Sequence, residues 1–459
     1  MRALRIELNK IDDKTKTILG YLTYHAGKLW NECNYLLHNK LAKVNKYDIY
    51  NKIKNTSIHK KSLHSRTAQI VIEELVRAWK NFFDHLKNPS KYPNKVKPPK
   101  YVDKTAPHRT ITYDKTGFKI KGNTIRLSIP KDLKEYLKEK FGFTDDYIYI
   151  NTGIDLQKLN IVNIQIVPYK AYGNITFRLN IIYEKEIEDT KNKYDKVMAI
   201  DYGVSNFATI VIENEPISYI VDGGGFQSIL QKYLKKLAKW QKKKDNLKNK
   251  GLPYNKVEKV LHRIQKKINN LIRDYTHKVS NLIVNLAKKY NVSKIVIGDI
   301  QKVKNKESNL PDLLNQMLRL LPYGKVSNAL EYKAKEHGIE TILINEAYTS
   351  GVDSTINSVV SKENYTPDRR IERELFKSLN GLINADVNGA RNILKKFKKS
   401  WHDLISGLKQ ITRLRVFGKL KGSPVFATYR QIGVVGCSDH LYRIRCINNA
   451  QTPIEATTS

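Results

Sequence analysis

Two aspartates stand where an α/β protein could use them for metal chemistry. Asp201 closes the apolar run VMAIDYG at 197–203, just before Tyr202 and Gly203. Asp386 lies in the first turn of the helical pattern ADVNGARNILKKF at 385–397. An unpaired carboxylate at the end of a buried strand is costly, whereas a helix N-terminus favours one. Each alone is a weak signal, since an acid at a helix start is usually only a cap. Together they suit phosphodiester hydrolysis by two divalent ions about 4 Å apart, which takes three or four carboxylates converging on one sheet edge. Asn388, two residues after Asp386, could orient water or phosphate, with a structural role as the alternative. His277 in DYTHKVSN could contact phosphate, although an interhelical place suits it as well.

Such acids need an α/β frame, and the sequence supplies one from Lys196 onward. VMAIDYG reads as a buried strand, and ATIVIE at 208–213 follows at hairpin distance. A long helical stretch from Phe226 to Tyr290 is broken at KGLPYN, where Gly251 and Pro253 mark a turn between two antiparallel helices. The first of these is cationic outside Leu234, Leu237 and Trp240. Its Lys235, Lys236, Lys239, Lys242, Lys243 and Lys244 lack glutamates at four-residue spacing, which suits a phosphate-contacting surface better than a balanced solvated face. Strand KIVIGDI, helix ALEYKAKEHG, strand TILINE, an irregular segment at 347–383 and the closing helix follow. The tail at 399–459 reads as irregular and partly disordered.

The first half of the chain has a different grammar. Leu4 to Leu8 alternate as a single strand, and helices follow to about residue 88. In SRTAQIVIEELVRAWKNFFDHL, Ile70, Ile72, Leu75, Val76, Trp79 and Phe83 recur near helical spacing. The Pro- and Lys-rich stretch at 88–100 reads as a solvated linker or a strip along phosphates. From 101 to 192, segments such as RTITYDKTGFKIKGNTIRLSIP and NITFRLNIIYEK alternate polar with β-branched or aromatic residues, which predicts a small antiparallel β-barrel. Its positive charge and tyrosines would suit a nucleic-acid groove, although most of these rings have ordinary places on strand faces.

Composition names the partner. The 459 residues are 41% hydrophobic, enough for folded cores, and 82 Lys and Arg against 44 Asp and Glu leave +38, with a pI near 9.8. A polyanion is expected to neutralise that excess, and nucleic acid fits better than a ribosomal or membrane-surface role. No apolar run is long enough to span a bilayer, and MRALRIELNK is neither a signal nor a transit peptide, so an intracellular, cytoplasmic location without a membrane is expected. Three cysteines are too few for a disulfide framework. Cys437, His440 and Cys446 could offer three zinc ligands, but no CxxC pair is present, and a surface tail is the simpler reading.

At this point AIDYGVSNFAT, the lysine-rich hairpin, KIVIGDI, EYKAKEHGIETILINEAYTS and GLINADVNGARNIL, in that order, resemble the TnpB/OrfB proteins of insertion sequences. That family is related to type V CRISPR effectors and to the Fanzor proteins. The resemblance is specific over about 195–398 and looser in LHSRTAQIVIEEL. It implies an RNA-guided DNA endonuclease that takes a guide RNA from the flanking element and a double-stranded DNA target. The implied fold is α/β plus all-β. A RuvC/RNase H-like domain at 193–398 carries the hairpin at 226–290. An oligonucleotide-binding β-barrel at 1–10 and 101–192 is interrupted by a helical recognition domain and linker at 11–100.

Two departures from the family pattern matter. The usual second acid, a glutamate ending the IVI-type strand, is replaced by Gly298. Asp299 is adjacent, but strand alternation should turn it to the opposite face. Glu346, which ends the next strand, is the better third ligand, and part of the family resembles this arrangement. Asp201, Glu346 and Asp386 are thus expected to hold two Mg2+ or Mn2+ ions, with Asp299 as the weaker candidate. The second departure lies in the segment after YTS, where the family carries a zinc ribbon: residues 351–383 contain no cysteine. Zinc is therefore not expected, and 347–383 reads as a ribbon remnant. Its basic face carries Lys362, Arg369, Arg370, Arg373 and Lys377, while Tyr348 and Phe376 could stack on bases or pack. Gly298 keeps alive an alternative, a nuclease-dead RNA-guided repressor; a transposase accessory role is the third reading.

Overall fold

The computed structural model describes residues 1–8, 11–88, 96–171, 174–185, 195–204, 206–299, 321–399, 406–416 and 429–433. These fall into two compact units, Met1–Ile187 with Lys236–Lys266, and Glu188–Lys235 with Lys267–Ser459. The outer part of the basic hairpin thus groups with the first unit and its base with the second. No helix among the described residues is long and apolar enough to cross a membrane.

In the first unit, β1 (Arg2–Leu8) is followed by helices α1 (Asp13–His38), α2 (Lys46–Ile53), α3 (Ile58–Lys61) and α4 (Ser65–Lys87). Asp12 caps α1 by accepting from the Thr15 backbone N–H. The apolar stripe of α4 buries Val71, Ile72, Leu75, Val76 and Trp79, whereas Phe83 stays exposed. Trp79 Nε1 donates to Asn34 Oδ1 at 2.8 Å, which satisfies a buried amide between α4 and α1.

Strands β2 (Ile111–Asp114), β3 (Phe118–Lys121), β4 (Thr124–Ser128), β5 (Tyr147–Asn151), β6 (Asn160–Ala171) and β7 (Asn174–Glu184) complete the unit, with α5 (Lys131–Phe141) between β4 and β5. As the alternation of Leu4 to Leu8 suggested, β1 joins this region, pairing antiparallel with β7 from Arg2↔Tyr183 to Leu8↔Phe177. The expected barrel is corrected. The described strands form two separate sheets, ordered β1-β7-β6-β2 and β3-β4-β5. The helix KDLKEYLKEKF, ended by Gly142 in the left-handed region, interrupts the run of strands. The end of the expected linker, although largely exposed, is tied to α1: Pro99 and Lys100 carbonyls accept from Asn34 and Trp30, and just beyond it Val102 exchanges two bonds with Asn31. Residues 89–95 lie outside the described ones.

The second unit is built on a seven-stranded sheet. It begins with β8 (Lys196–Tyr202), β9 (Asn206–Ile212) and β10 (Ile217–Asp222), joined as antiparallel hairpins. Helices α6 (Gly224–Asn249) and α7 (Asn255–Lys289) form the long hairpin. Then β11 (Val292–Gly298), α8 (Tyr323–Lys335) and β12 (Glu340–Ile344) lead to the small hairpin β13 (Leu375–Ser378) and β14 (Gly381–Asn384), and to α9 (Ala385–Lys398). β11 pairs parallel to β8, and β12 parallel to β11. Every residue of β9 is buried, as a strand covered on both faces requires. Val387, Ala390, Ile393 and Leu394 seal α9 against Val197, Ala199, Val211 and Val296, each valine, isoleucine or leucine among them contributing about 1.5–3 kcal/mol when fully buried.

The irregular reading of the tail is corrected at two short stretches. β15 (Gln410–Arg415) adds parallel to β10, and β16 (Tyr429–Gly433) adds antiparallel to β15, giving the order β12-β11-β8-β9-β10-β15-β16. Backbone pairing with an open edge, invisible in the composition of the tail, fixes it there. Residues 417–428 and 434–459, with Cys437, His440 and Cys446, lie outside the described ones.

Candidate active site

Because β8, β11 and β12 run parallel, their carboxyl ends share one edge of the sheet, and a crevice there is where such folds collect ligands. A cavity of about 610 Å³ opens at that edge, lined by Asp201, Asn206, Asp299, Glu346, Arg370, Arg373, Glu374 and Asp386 among others. Asp201 comes from β8, Asp299 from the residue after β11, Glu346 from two residues after β12, and Asp386 from the first turn of α9. The structure therefore brings together every acid singled out from the sequence. Asp299 was expected on the opposite face; it lies beyond the last residue of β11, where strand alternation no longer assigns a side, and it lines the same cavity.

The electrostatics are those of a crowded anionic site. Burial, then Glu346 and Asp386, push the Asp201 carboxyl well above the ordinary carboxylate range, with Arg370 opposing them. Burial and then Asp299 raise Glu346. Arg370 Nη2 stands 3.3 Å from Asp386 Oδ1. A cluster of hard oxygens without thiolate or imidazole suits Mg2+ or Mn2+ rather than zinc. Among the described residues no three such groups close around a single ion position. The carboxylates share a cavity without converging on one point.

Two glycines shape the site. A Cβ on Gly298 would lie 2.8 Å from Glu346 Oε2, 3.3 Å from Glu346 Cβ and 2.9 Å from Ile393 Cδ1, so the glutamate carboxylate occupies the space a side chain at 298 would need. Gly389, inside α9, lets the helix backbone approach Asp201; a Cβ there would collide with Asp201 Oδ2. A glycine inside a helix costs about 1 kcal/mol relative to alanine, and that local penalty was the signal in the sequence that could have marked this position.

Other predicted residues find different roles. Asn388 is fully buried; its Oδ1 accepts from Ser354 N at 2.9 Å and its Nδ2 donates to Val352 O at 2.8 Å. These bonds pin the segment after YTS to α9, away from the cavity lining, and correct the expectation that it orients water. Phe376 is fully buried and packs, while Tyr348 is exposed and meets Tyr365 edge-on. His277 stands near Tyr332 of α8, and its carbonyl accepts from Lys333. Burial and then Lys333 lower its pKa, which favours the neutral interhelical histidine. Lys235, Lys236, Lys239, Lys242 and Lys243 are exposed on α6, with Lys243 over the Trp240 ring. Lys244 departs from this set: it pairs with Glu258 at 2.6 Å across the hairpin.

The cysteine-free segment is organised by a carboxylate. Asp353, 3% exposed, accepts from Thr355 N at 2.9 Å, Thr355 Oγ1 at 2.7 Å, Leu379 N at 2.7 Å and Arg369 Nη1 at 3.4 Å. Burial alone would raise its carboxyl, but the bonds from Leu379 and Thr355 outweigh burial and hold it below the usual range. Arg369 is therefore spent within the segment, while Arg370 and Arg373 face the cavity. Sequence reasoning also missed Asn206, whose Nδ2 donates to Asp386 Oδ2 at 2.7 Å. Its place five residues after Asp201, across a tight hairpin, was the available hint.

Fold and cavity define a mixed α/β protein with an acidic site at the carboxyl edge of its parallel strands. Residues 180–304 match the family model OrfB_IS605, described as a probable transposase, and residues 323–393 match the Cas12f1-like TNB domain. The chain is 25% identical to TnpB-like protein ORF457 of Acidianus two-tailed virus over 398 residues, covering 81% of each. It is 27% identical to the CRISPR-associated endodeoxyribonuclease Cas12f1 of Sulfoacidibacillus thermotolerans over 219 residues, 47% of this chain, and spans about half (49%) of that protein. In fold it is similar to the cryo-EM structure of a Cas12f1-sgRNA-target DNA complex, with a TM-score of 0.53 at 16% identity, covering 84% of this chain and 83% of that one. The chain thus matches these two family models over 180–304 and 323–393 and is similar to proteins named TnpB-like and Cas12f1.

Proposed function

We propose that this chain is an RNA-guided DNA endonuclease, hydrolysing DNA phosphodiesters with two divalent ions at a RuvC/RNase H-like site. The observation that carries this reading is the meeting of Asp201, Glu346 and Asp386 in one cavity. The order β10-β9-β8-β11-β12 and the covering helix α9 support it as the frame of such a nuclease. Asp201, Glu346 and Asp386 would hold Mg2+ or Mn2+, which supplies an activated water and neutralises the leaving oxygen. Arg370 and Arg373 stand at the cavity wall, where they would neutralise the phosphate that enters. The exposed lysines of α6 and the net charge of +38 suit a guide RNA from the flanking element and a double-stranded DNA target.

Purification with the flanking transcript, followed by Mn2+-dependent cleavage of matched DNA, tests this. Asp201→Ala, Glu346→Ala and Asp386→Ala should each abolish cutting while leaving guide-dependent DNA binding intact. Equal cleavage by wild type and Asp201→Ala sinks the proposal. The second reading, a guided binder that does not cut, draws on Gly298, which stands where the family pattern has a glutamate. It predicts guide-dependent binding with no cleavage by the wild type.

A further inference from the structure

Asp386 is tied from two sides. Arg370 meets its Oδ1, and Asn206 Nδ2 donates to its Oδ2 at 2.7 Å. Asn206 is 4% exposed at the start of β9, so its amide has to find partners within the protein. Its Oδ1 accepts from Arg413 Nη1 at 3.3 Å, and Arg413 Nη2 pairs with Glu374 Oε2 at 3.0 Å. Arg413 belongs to β15, contributed by the tail, where it stands in register with Ile220 of β10. Ile411, two residues earlier and therefore on the same face of β15, packs into the core beneath α9, the helix that carries Asp386.

The chemistry of an asparagine amide gives this chain of contacts a direction. Its two ends are nearly identical in shape but opposite in function, one accepting and one donating twice. A guanidinium can only donate, and an ionised carboxylate can only accept. With Arg413 on one side and Asp386 on the other, a single orientation of the Asn206 amide satisfies both. Without the guanidinium the amide is free to turn its oxygen toward the carboxylate, replacing a donated bond by repulsion between two acceptors.

We propose that β15 completes the active site and that Arg413 is a positioning residue. It fixes the orientation of the Asn206 amide and, through it, the Asp386 carboxylate that receives the metal. The proposal rests on the nuclease reading above, and Mn2+ uptake by the full chain is the readout that separates the two. Uptake is followed by electron paramagnetic resonance in wild type, Asp386→Asn, Arg413→Ala, Arg413→Lys, Asn206→Ala, Glu374→Gln and the Arg413→Ala/Asn206→Ala double variant, with cleavage rates and melting curves alongside.

Partners that orient a metal ligand are worth about 10–100-fold in affinity, so Arg413→Ala and Asn206→Ala should each weaken the Asp386-dependent uptake by about tenfold or more. The double variant should be no worse than Asn206→Ala alone. Arg413→Lys should fall between wild type and alanine, because a single ammonium lacks the planar fork that reaches both Asn206 and Glu374. This milder variant also guards against misfolding as the cause. Wild-type uptake in Arg413→Ala overturns the inference and leaves the nuclease reading standing. So does an additive double variant, or a loss reproduced by Glu374→Gln while Asn206→Ala is silent. A wild type with no Asp386-dependent uptake removes both readings. A wild type that takes up Mn2+ without cutting removes the nuclease reading only, and Arg413 is then judged by uptake.

Discussion

The carboxylate of Glu346 fills the space that a side chain on Gly298 would occupy, with 2.8 Å between its Oε2 and the Cβ such a side chain would bring. The glycine and the displaced acid are therefore complementary. Restoring a glutamate at 298 adds a third party to a place already taken. Gly298→Glu alone should lower cleavage by about 100-fold, the scale of an ångström's misplacement in an active site. The exchange Gly298→Glu with Glu346→Gly should recover at least part of that loss. Single-turnover cleavage of matched DNA reads the result, and independent, additive effects of the two substitutions would contradict the complementarity.

Gly389 gives a second prediction. Replacing a helical glycine by alanine ordinarily stabilises a helix by roughly 0.5–1 kcal/mol, but here the new methyl meets Asp201 Oδ2. Gly389→Ala should lose most cleavage while its melting temperature changes little and guide-dependent binding persists. A variant that cuts like the wild type would show that Asp201 has room to move.

The hairpin lysines divide into two groups. Replacing the exposed Lys235, Lys236, Lys239, Lys242 and Lys243 by alanine should weaken nucleic-acid binding and flatten its salt dependence. Each phosphate that is no longer neutralised takes about 0.9 off the slope of log K against log salt on duplex DNA. Lys244→Ala should leave that slope unchanged, since its ammonium is engaged by Glu258. Binding titrations at several salt concentrations decide between these outcomes.

Which of these features the sequence revealed depended on how local their causes were. Asp201 and Asp386 were legible because a strand end and a helix start each leave a short pattern, and Glu346 because the loss of an acid at 298 demanded one nearby. Asp299 was misjudged because alternation was extended one residue beyond its strand. Asn388 was left between water or phosphate and a structural role, and Lys244 and Arg369 were assigned to phosphate, yet each is engaged by a partner distant in sequence: Ser354 and Val352, Glu258, and Asp353. The same holds for the tail, whose strand is created by the open edge of β10, and for the barrel, which is two sheets with α5 between consecutive strands.

A pair of histidines in the helical region should make stability depend on pH. His25 Nδ1 and His59 Nδ1 are 3.0 Å apart. Burial, and then His59, bring the pKa of His25 down to about 4 from its ordinary 6.5. Between these values the unfolded chain binds the proton that the folded chain refuses, so stability should rise with pH across that window and fall as the solution is acidified through it. His25→Gln should reduce the difference between melting temperatures at pH 5 and pH 7. An unchanged difference would assign the acid sensitivity elsewhere.

The parallel pairing of β10 with β15 also sets an order of events during synthesis. Residues 217–222 leave the ribosome long before 410–415, and in that interval β10 lacks its final neighbour, the kind of open edge that invites foreign strands. Asp386 itself emerges before the arginine that steadies its asparagine partner. A nascent chain can therefore build most of its acidic cavity and still wait for Arg413, so on the proposed nuclease reading the capacity to cut would arrive late in translation.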